Sequence, residues 1–203
     1  MGSEEYGAEF WEDRYRSQTS VWSGRPNAQL VAEVADLRPG HALDVGAGEG
    51  ADSCWLAEQG WRVTALDHAG TALRRGAEHA AQAGVADRID WVRADVRNWD
   101  PGDRRFDLIS AQFLHLRHAE LRAMTTRLAG AVEPGGRLLL VQHDLRDGTH
   151  REHLADRFVP AAEIATWLPP GWTVEVDEVR PRTVTGPDGN PMTIHDAVFR
   201  ARR

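Results

Sequence analysis

Lysine is absent from this chain. All 24 of its lysine-or-arginine positions are arginine, so no lysine is available as a general base. Cysteine is nearly absent: Cys54 stands alone, which excludes an internal disulfide and suits a reducing cytosol. No apolar stretch approaches membrane-spanning length, and the first thirty residues contain no signal-type apolar core. A positive charge excess is lacking too. The formal charge is -7 and the arginines are interleaved with acids, which argues against nonspecific nucleic-acid binding. Repeats and low-complexity tracts are missing. What is left is a chain of 203 residues, most simply one domain and long enough to bury a core without metal or disulfide support. Its abundance of alanine, arginine and glycine points to a GC-rich bacterial genome.

Apolar residues recur in two alternating rhythms. Helical spacing marks 4–15, 27–37, 50–59, 70–83 and 118–131, with Leu121, Met124, Leu128 and Val132 on one face of the last. Short apolar runs at 42–46, 61–67, 88–94, 105–111 and 136–143 read as strands. Such alternation predicts a parallel sheet with helices on both faces. The ending differs. Pro160 opens a short helix to Trp167, and β-like runs follow at 172–179 and 193–199. The turn-forming residues from Gly186 to Pro191 between those runs predict an antiparallel pair.

Leu43 to Gly50 read Leu-Asp-Val-Gly-Ala-Gly-Glu-Gly, at the junction of the first strand and a helix. Glycines at 46, 48 and 50 let the backbone turn tightly and approach a ligand, while the amides opening the helix face it. Seventeen residues after Gly50, the next apolar run ends in Asp67, placed to accept hydrogen bonds from a ribose diol. The pattern predicts a nucleoside-containing cofactor. Gly46-x-Gly48-x-x-Ala51 also satisfies a loose dinucleotide fingerprint, so the glycines alone leave NAD open. Asp44 weighs against it. A fixed carboxylate there would repel a diphosphate, yet would receive an ammonium or sulfonium, directly or through water.

Asp44-Val45-Gly46-Ala47-Gly48-Glu49-Gly50 resembles the first motif of the class I S-adenosylmethionine-dependent methyltransferases. Asp67 matches that family's ribose-binding acid, and Arg93-Ala94-Asp95-Val96 matches the segment whose acid contacts adenine. Glu133-Pro134-Gly135-Gly136-Arg137-Leu138 matches the approach to the fifth strand, so the likeness covers roughly 40–143. It implies a Rossmann-like methyltransferase fold: one doubly wound, mostly parallel, seven-stranded sheet whose last strand is antiparallel, in a single domain over 1–203. S-adenosylmethionine is the implied cofactor and S-adenosylhomocysteine the product. The implied cofactor-binding residues are Asp44, Gly46, Ala47, Gly48, Gly50, Asp67, His68, Asp95, Val96 and Gln112. Simpler roles stay open for two of them: Asp67 as a cap on the helix near 70, Asp95 as a solvated loop acid.

Tyr6 and Phe10, then Trp11 and Tyr15, fall at i,i+4 spacing, and Val21 to Asn27 adds Trp22 and Arg25 beside a tight turn. These aromatics, Phe10 above all, could simply pack on the core. The segment 1–26 also resembles the amino-terminal cover of small-molecule methyltransferases, including the thiopurine, thiol/halide and tellurite-resistance groups. That resemblance implies Trp11, Tyr15, Trp22 and Arg25 around the cofactor, the rings facing a sulfonium and the arginine either the cofactor carboxylate or an anionic acceptor. The core is then 40–143 and the carboxy-terminal β-pair 171–201.

His115 and His143, on the rim after the fourth and fifth strands, are the candidate catalytic bases, though His115 could instead lie on the surface beside His118. His150 and His153, three apart, invite a metal reading, but weak helix signals and the lack of a nearby cysteine leave no convincing ligand set. No metal is expected. Methyl transfer from a sulfonium is an in-line displacement that positioning promotes without covalent catalysis. A chain this small leaves no separate substrate domain, so a small-molecule acceptor is expected, methylated on sulfur, nitrogen or oxygen. An NAD-linked oxidoreductase and a non-catalytic S-adenosylmethionine or S-adenosylhomocysteine sensor are the competing readings.

Overall fold

β1 (His41–Val45) shows how the core is made: its last four residues are buried, and they alternate between two apolar layers. The computed structural model of the chain describes residues 6–144, 156–186 and 189–203. Leu43 and Val45 enter one layer, Ala42 the other. The same alternation splits Ile109 from Leu108 in β4 (Phe106–Gln112), and Leu138 and Leu140 from Leu139 and Val141 in β5 (Val132–His143). β2 (Arg62–Asp67) and β3 (Ile89–Arg93) complete the parallel part of the sheet.

Helices cover both faces. α5 (His118–Ala129) lays Leu121, Met124 and Leu128 on the Leu43 side, joined by Ile164 from α6 (Ala161–Ala165). Truncating any one of those three α5 side chains to alanine would cost about 2–5 kcal/mol, since all are essentially fully buried. On the Ala42 side lie Leu30 and Val34 of α2 (Ala28–Val34), Leu56 of α3 (Ala51–Glu58) and Ala80 of α4 (Gly70–Gln82). α4 comes closest at Gly76, where a Cβ would stand 2.5 Å from the Trp91 ring. Among the described residues, no helix is long and apolar enough to cross a membrane.

The strand order is β3-β2-β1-β4-β5-β7-β6, with β6 (Thr173–Thr185) and β7 (Pro191–Arg202) forming the late pair. β7 runs antiparallel to both β5 and β6, so it inserts between them as the methyltransferase resemblance implies. Order reverses between β1 and β4, which places a crevice outside the carboxyl ends of those strands.

Four elements depart from the sequence expectation. α1 (Ala8–Ser17) starts later than 4, because Tyr6 has a left-handed φ of 66° and Gly7 occupies the N-cap. β5 starts at Val132, ahead of 136. A register shift between Phe106 and Leu108 lets it run through Pro134-Gly135-Gly136. β6 and β7 are longer than the expected runs at 172–179 and 193–199. Pro181 lies inside β6, paired with His195, and an edge strand tolerates the missing N–H. β7 pairs with β5 only from Asp196 onward, so the stretch opposing 191–195 with 181–185 projects past β5 over the crevice.

Candidate active site

The loop after β1 is pinned before any ligand arrives. Gly46 and Ala47 both donate their N–H to the Leu66 carbonyl, at 2.8 and 3.0 Å. Gly48 donates its N–H to Asp67 Oδ2 at 2.9 Å, and Asp67 Oδ1 accepts the Ala69 N–H at 2.8 Å. Asp67 therefore ties the glycine loop to the entry of α4 and lines the cavity above them. Gly48 is required here: its φ is 54°, and a Cβ would lie 2.9 Å from the Tyr15 hydroxyl. Asp44 sits beneath the loop, 2% exposed, and accepts the Ser53 hydroxyl at 2.5 Å. Burial pushes its carboxyl above the usual aspartate range, and neighbouring Asp52 adds to the rise.

Glu49, which sequence reasoning did not single out, fastens the amino-terminal segment. Its buried carboxylate accepts the N–H groups of Val21 and Trp22 at 3.1 and 3.2 Å, and pairs with Arg75 at 2.7 Å. Arg75 also donates to the carbonyls of Tyr15 and Gln18. Farther out, Glu12 accepts the Thr71 N–H and hydroxyl at 3.2 and 2.6 Å, capping the start of α4. Asp52 accepts both the backbone N–H and the side-chain amide of Asn27, at 2.7 and 2.8 Å. The signal was available in principle: acids in and beside a glycine loop need donors, and none lies nearby in sequence.

Tyr15, rather than Phe10, is the buried aromatic of α1; it packs on Ala69 and Ala72 of α4 and its neighbourhood. Its hydroxyl accepts the Trp22 indole N–H at 2.8 Å. Burial holds that hydroxyl in its protonated form well past the ordinary tyrosine range. Trp11 and Trp22 stack loosely at 6.0 Å, with the Arg14 guanidinium 5.6 Å from each ring. Arg25 is exposed and lines the same cavity.

Asp95, two residues beyond β3, lines the same cavity. Arg97 grips it through its backbone N–H at 2.9 Å and its guanidinium at 2.7 Å. Partial burial alone would raise the Asp95 carboxyl, but the Arg97 bonds outweigh it and hold it below the usual range. Val96 beside it is buried, and its carbonyl accepts from Arg127. Two residues that line the cavity, His68 and Gln112, each bury one polar atom, Nε2 and Oε1, that has no hydrogen-bond partner among the described residues.

His115 belongs to this cavity and not to the surface beside His118. Its ring stacks on Tyr6 at 4.9 Å, nearly parallel, while His118 pairs with Glu163 at 2.5 Å. His143 stacks on Phe113 at 4.5 Å. His150 and His153 lie outside the described residues. Within those residues no group of three or more metal-ligating side chains is assembled. The glycine loop, Asp44, Asp67, His68, Asp95, Val96, Gln112, both candidate bases and the cover residues Trp11, Tyr15, Trp22 and Arg25 all line one cavity of about 570 Å³.

Residues 42–136 match the family described as methyltransferase domain. A 2-heptyl-1-hydroxyquinolin-4(1H)-one methyltransferase from Mycobacteroides abscessus is 30% identical over 127 residues, covering 61% of this chain and 56% of the relative. The N-methyltransferase NodS from Bradyrhizobium japonicum, solved with S-adenosyl-l-homocysteine, shares the fold at TM-score 0.72 and 19% identity, covering 95% and 96% of the two chains. A structure solved for the conversion of a disulfide bond into a thioacetal group during echinomycin biosynthesis matches at TM-score 0.74 and 25% identity, covering 97% and 91%. Over that match the chain is similar to class I S-adenosylmethionine-dependent methyltransferases. It spans about half the length of the curated relatives it matches, from 37% to 61%.

Proposed function

We propose that this protein transfers a methyl group from S-adenosylmethionine to a small-molecule acceptor, on sulfur, nitrogen or oxygen, by in-line displacement. One observation carries the reading: the pinned loop, the strand-tip acid Asp67 and the aromatic cover enclose a single cavity of about 570 Å³, inside the range of small-molecule sites. The donor set fits the cofactor. Asp67 spends one bond per carboxylate oxygen on the loop and on α4, which leaves lone pairs for a ribose diol. Asp44 suits the ammonium, Arg25 the carboxylate, and the unmet His68 Nε2 and Gln112 Oε1 suit its remaining polar groups.

The cofactor supplies an electrophilic methyl on a sulfonium. The chain supplies position and exclusion of water. Trp11, Tyr15 and Trp22 present ring faces that attract a cation, and the Glu49–Arg75 anchor holds them over the glycine loop. His115 and His143 stand on the acceptor side, where either could receive a proton from the acceptor. A small molecule suits the enclosed site, a polyanionic nucleic acid does not suit the charge of -7, and the relative named for a hydroxyquinolone supports the same class. The single cysteine supports a cytoplasmic setting. A mass-spectrometric search for a +14 Da product across a panel of thiols, amines and phenols tests this reading. S-adenosylhomocysteine binding without turnover on any of them would leave a sensor instead.

A further inference from the structure

The acceptor side of the cavity is built around a strained residue and a clamped arginine. Phe113, the first residue beyond β4, has a φ of 54°. Bulky side chains rarely adopt that left-handed conformation, and such strain concentrates at binding sites. It sets the ring against His143 at 4.5 Å and against the Arg182 guanidinium at 5.2 Å. Arg182 comes from the part of β6 that projects past β5. Its Nε and one terminal nitrogen donate to Asp196 at 2.7 and 3.1 Å.

Asp196 is fully buried and takes a third bond from Gln29 at 3.3 Å, so the guanidinium is held in a fixed plane. Among the described residues, the other terminal nitrogen of Arg182 has no bonding partner. Arg182, Phe113 and His143 all line the cavity, as does Arg157, whose guanidinium donates to the His115 carbonyl and lies 5.1 Å from the Tyr6 ring. The carboxylates Asp44, Asp67 and Asp95 line the same cavity, the first two tied to Ser53, Gly48 and Ala69 and the third to Arg97.

We propose that this wall selects a flat aromatic acceptor bearing an anionic group, its ring against Phe113 and His143 and its anion on the open edge of Arg182. The inference rests on the methyltransferase reading of the cavity and narrows its acceptor. An aromatic ring gains from packing against the stacked Phe113–His143 pair with the edge-to-face or offset geometry that rings favour, which a saturated acid of the same charge cannot. An anion completes the guanidinium fork, which a neutral ring of the same shape cannot. Asp196 balances the charge of Arg182 while fixing it, so the open edge acts as an oriented donor and discriminates by geometry.

Calorimetric titration with benzoate, cyclohexanecarboxylate and benzamide tests this, on the full chain with saturating S-adenosylhomocysteine and again without it. Benzoate is expected to bind at least about tenfold tighter than either control. The double variant Arg182→Gln with Asp196→Asn removes the clamp without stranding a buried carboxylate. It is expected to bring benzoate and benzamide within about threefold of each other. Phe113→Leu is expected to do the same for benzoate and cyclohexanecarboxylate. Either control matching benzoate on the unaltered protein, or no probe binding at all, overturns the proposal. S-adenosylhomocysteine failing to bind overturns the methyltransferase reading instead, and the ligand-free titration then judges the wall by itself.

Discussion

The Gly48 N–H points into the Asp67 carboxylate at 2.9 Å, so the loop expected to cradle the cofactor and the acid expected to hold its ribose are one unit. Removing the acid should therefore act twice. Asp67→Ala should weaken S-adenosylhomocysteine binding by about 1–3 kcal/mol, as the diol and the loop amide lose a charged acceptor. It should also lower the melting temperature of the ligand-free protein. Calorimetry and thermal unfolding on the same variant separate the two effects. A lower melting temperature with undiminished affinity would confine Asp67 to pinning the loop and α4.

The cover makes a second test possible, because one buried side chain anchors it. Glu49 receives two backbone N–H groups and Arg75, with 7% of its side chain exposed. Breaking a buried pair from one side typically costs about 3–5 kcal/mol, since the remaining charge is left uncompensated. Glu49→Gln should release the cover at a smaller cost than unfolding the core. Hydrogen exchange should show residues 8–26 losing protection while β1, β4 and β5 keep theirs. Bound S-adenosylhomocysteine should restore part of the loss if the cover closes on it. Uniform loss of protection throughout the chain would make this segment an inseparable part of the core.

Much of this architecture was legible because buried central strands advertise themselves. Ala42-Leu43-Asp44-Val45 and Leu138 to Val141 are nearly continuous apolar runs, and their connecting helices carry helical spacing. Once the strands are known, the topology puts their carboxyl ends on one rim, so residues nominated from separate motifs line one cavity. What stayed hidden depended on distant partners. Nothing near Glu49 and Asp52 in sequence points to the amides of Val21, Trp22 and Asn27 that come back to meet them. The expected run stops at 179, whereas Pro181 on the sheet edge lets β6 continue and deliver Arg182. The left-handed turn at Phe113 leaves no trace in composition.

Asp44 gives the site a pH dependence with a definite sign. Its carboxyl is raised by burial and by Asp52, so above the usual aspartate value, about 3.9, the folded protein keeps a proton that the unfolded chain releases. Stability from this group is whole below that value and falls as pH climbs toward the raised one. A ligand ammonium favours the carboxylate and reverses the trend. S-adenosylhomocysteine binding at a pH between the two values should therefore expel a proton. Its calorimetric enthalpy should change with the ionisation enthalpy of the buffer, and Asp44→Asn should abolish that change. Equal enthalpies in all buffers would leave Asp44 outside the cofactor's charge balance.

His115 and His143 divide by what surrounds them. The His115 ring is sandwiched into the aromatic cover, parallel to Tyr6 at 4.9 Å and 5.6 Å from Trp11. His143 sits at the end of β5 against Phe113, with Nδ1 3.9 Å from the buried Asp196. That place, against the ring of Phe113 on the wall argued to hold the acceptor, makes His143 the better placed base. His143→Gln should lower kcat by about 10²–10⁴ if it takes the acceptor's proton, with S-adenosylhomocysteine affinity unchanged. His115→Gln should act mainly on KM for the acceptor, because it removes a wall. Steady-state kinetics on the two variants, once an acceptor is in hand, tell these outcomes apart. If neither loses as much as tenfold in kcat, the acceptor arrives already ionised, and transfer proceeds by positioning alone.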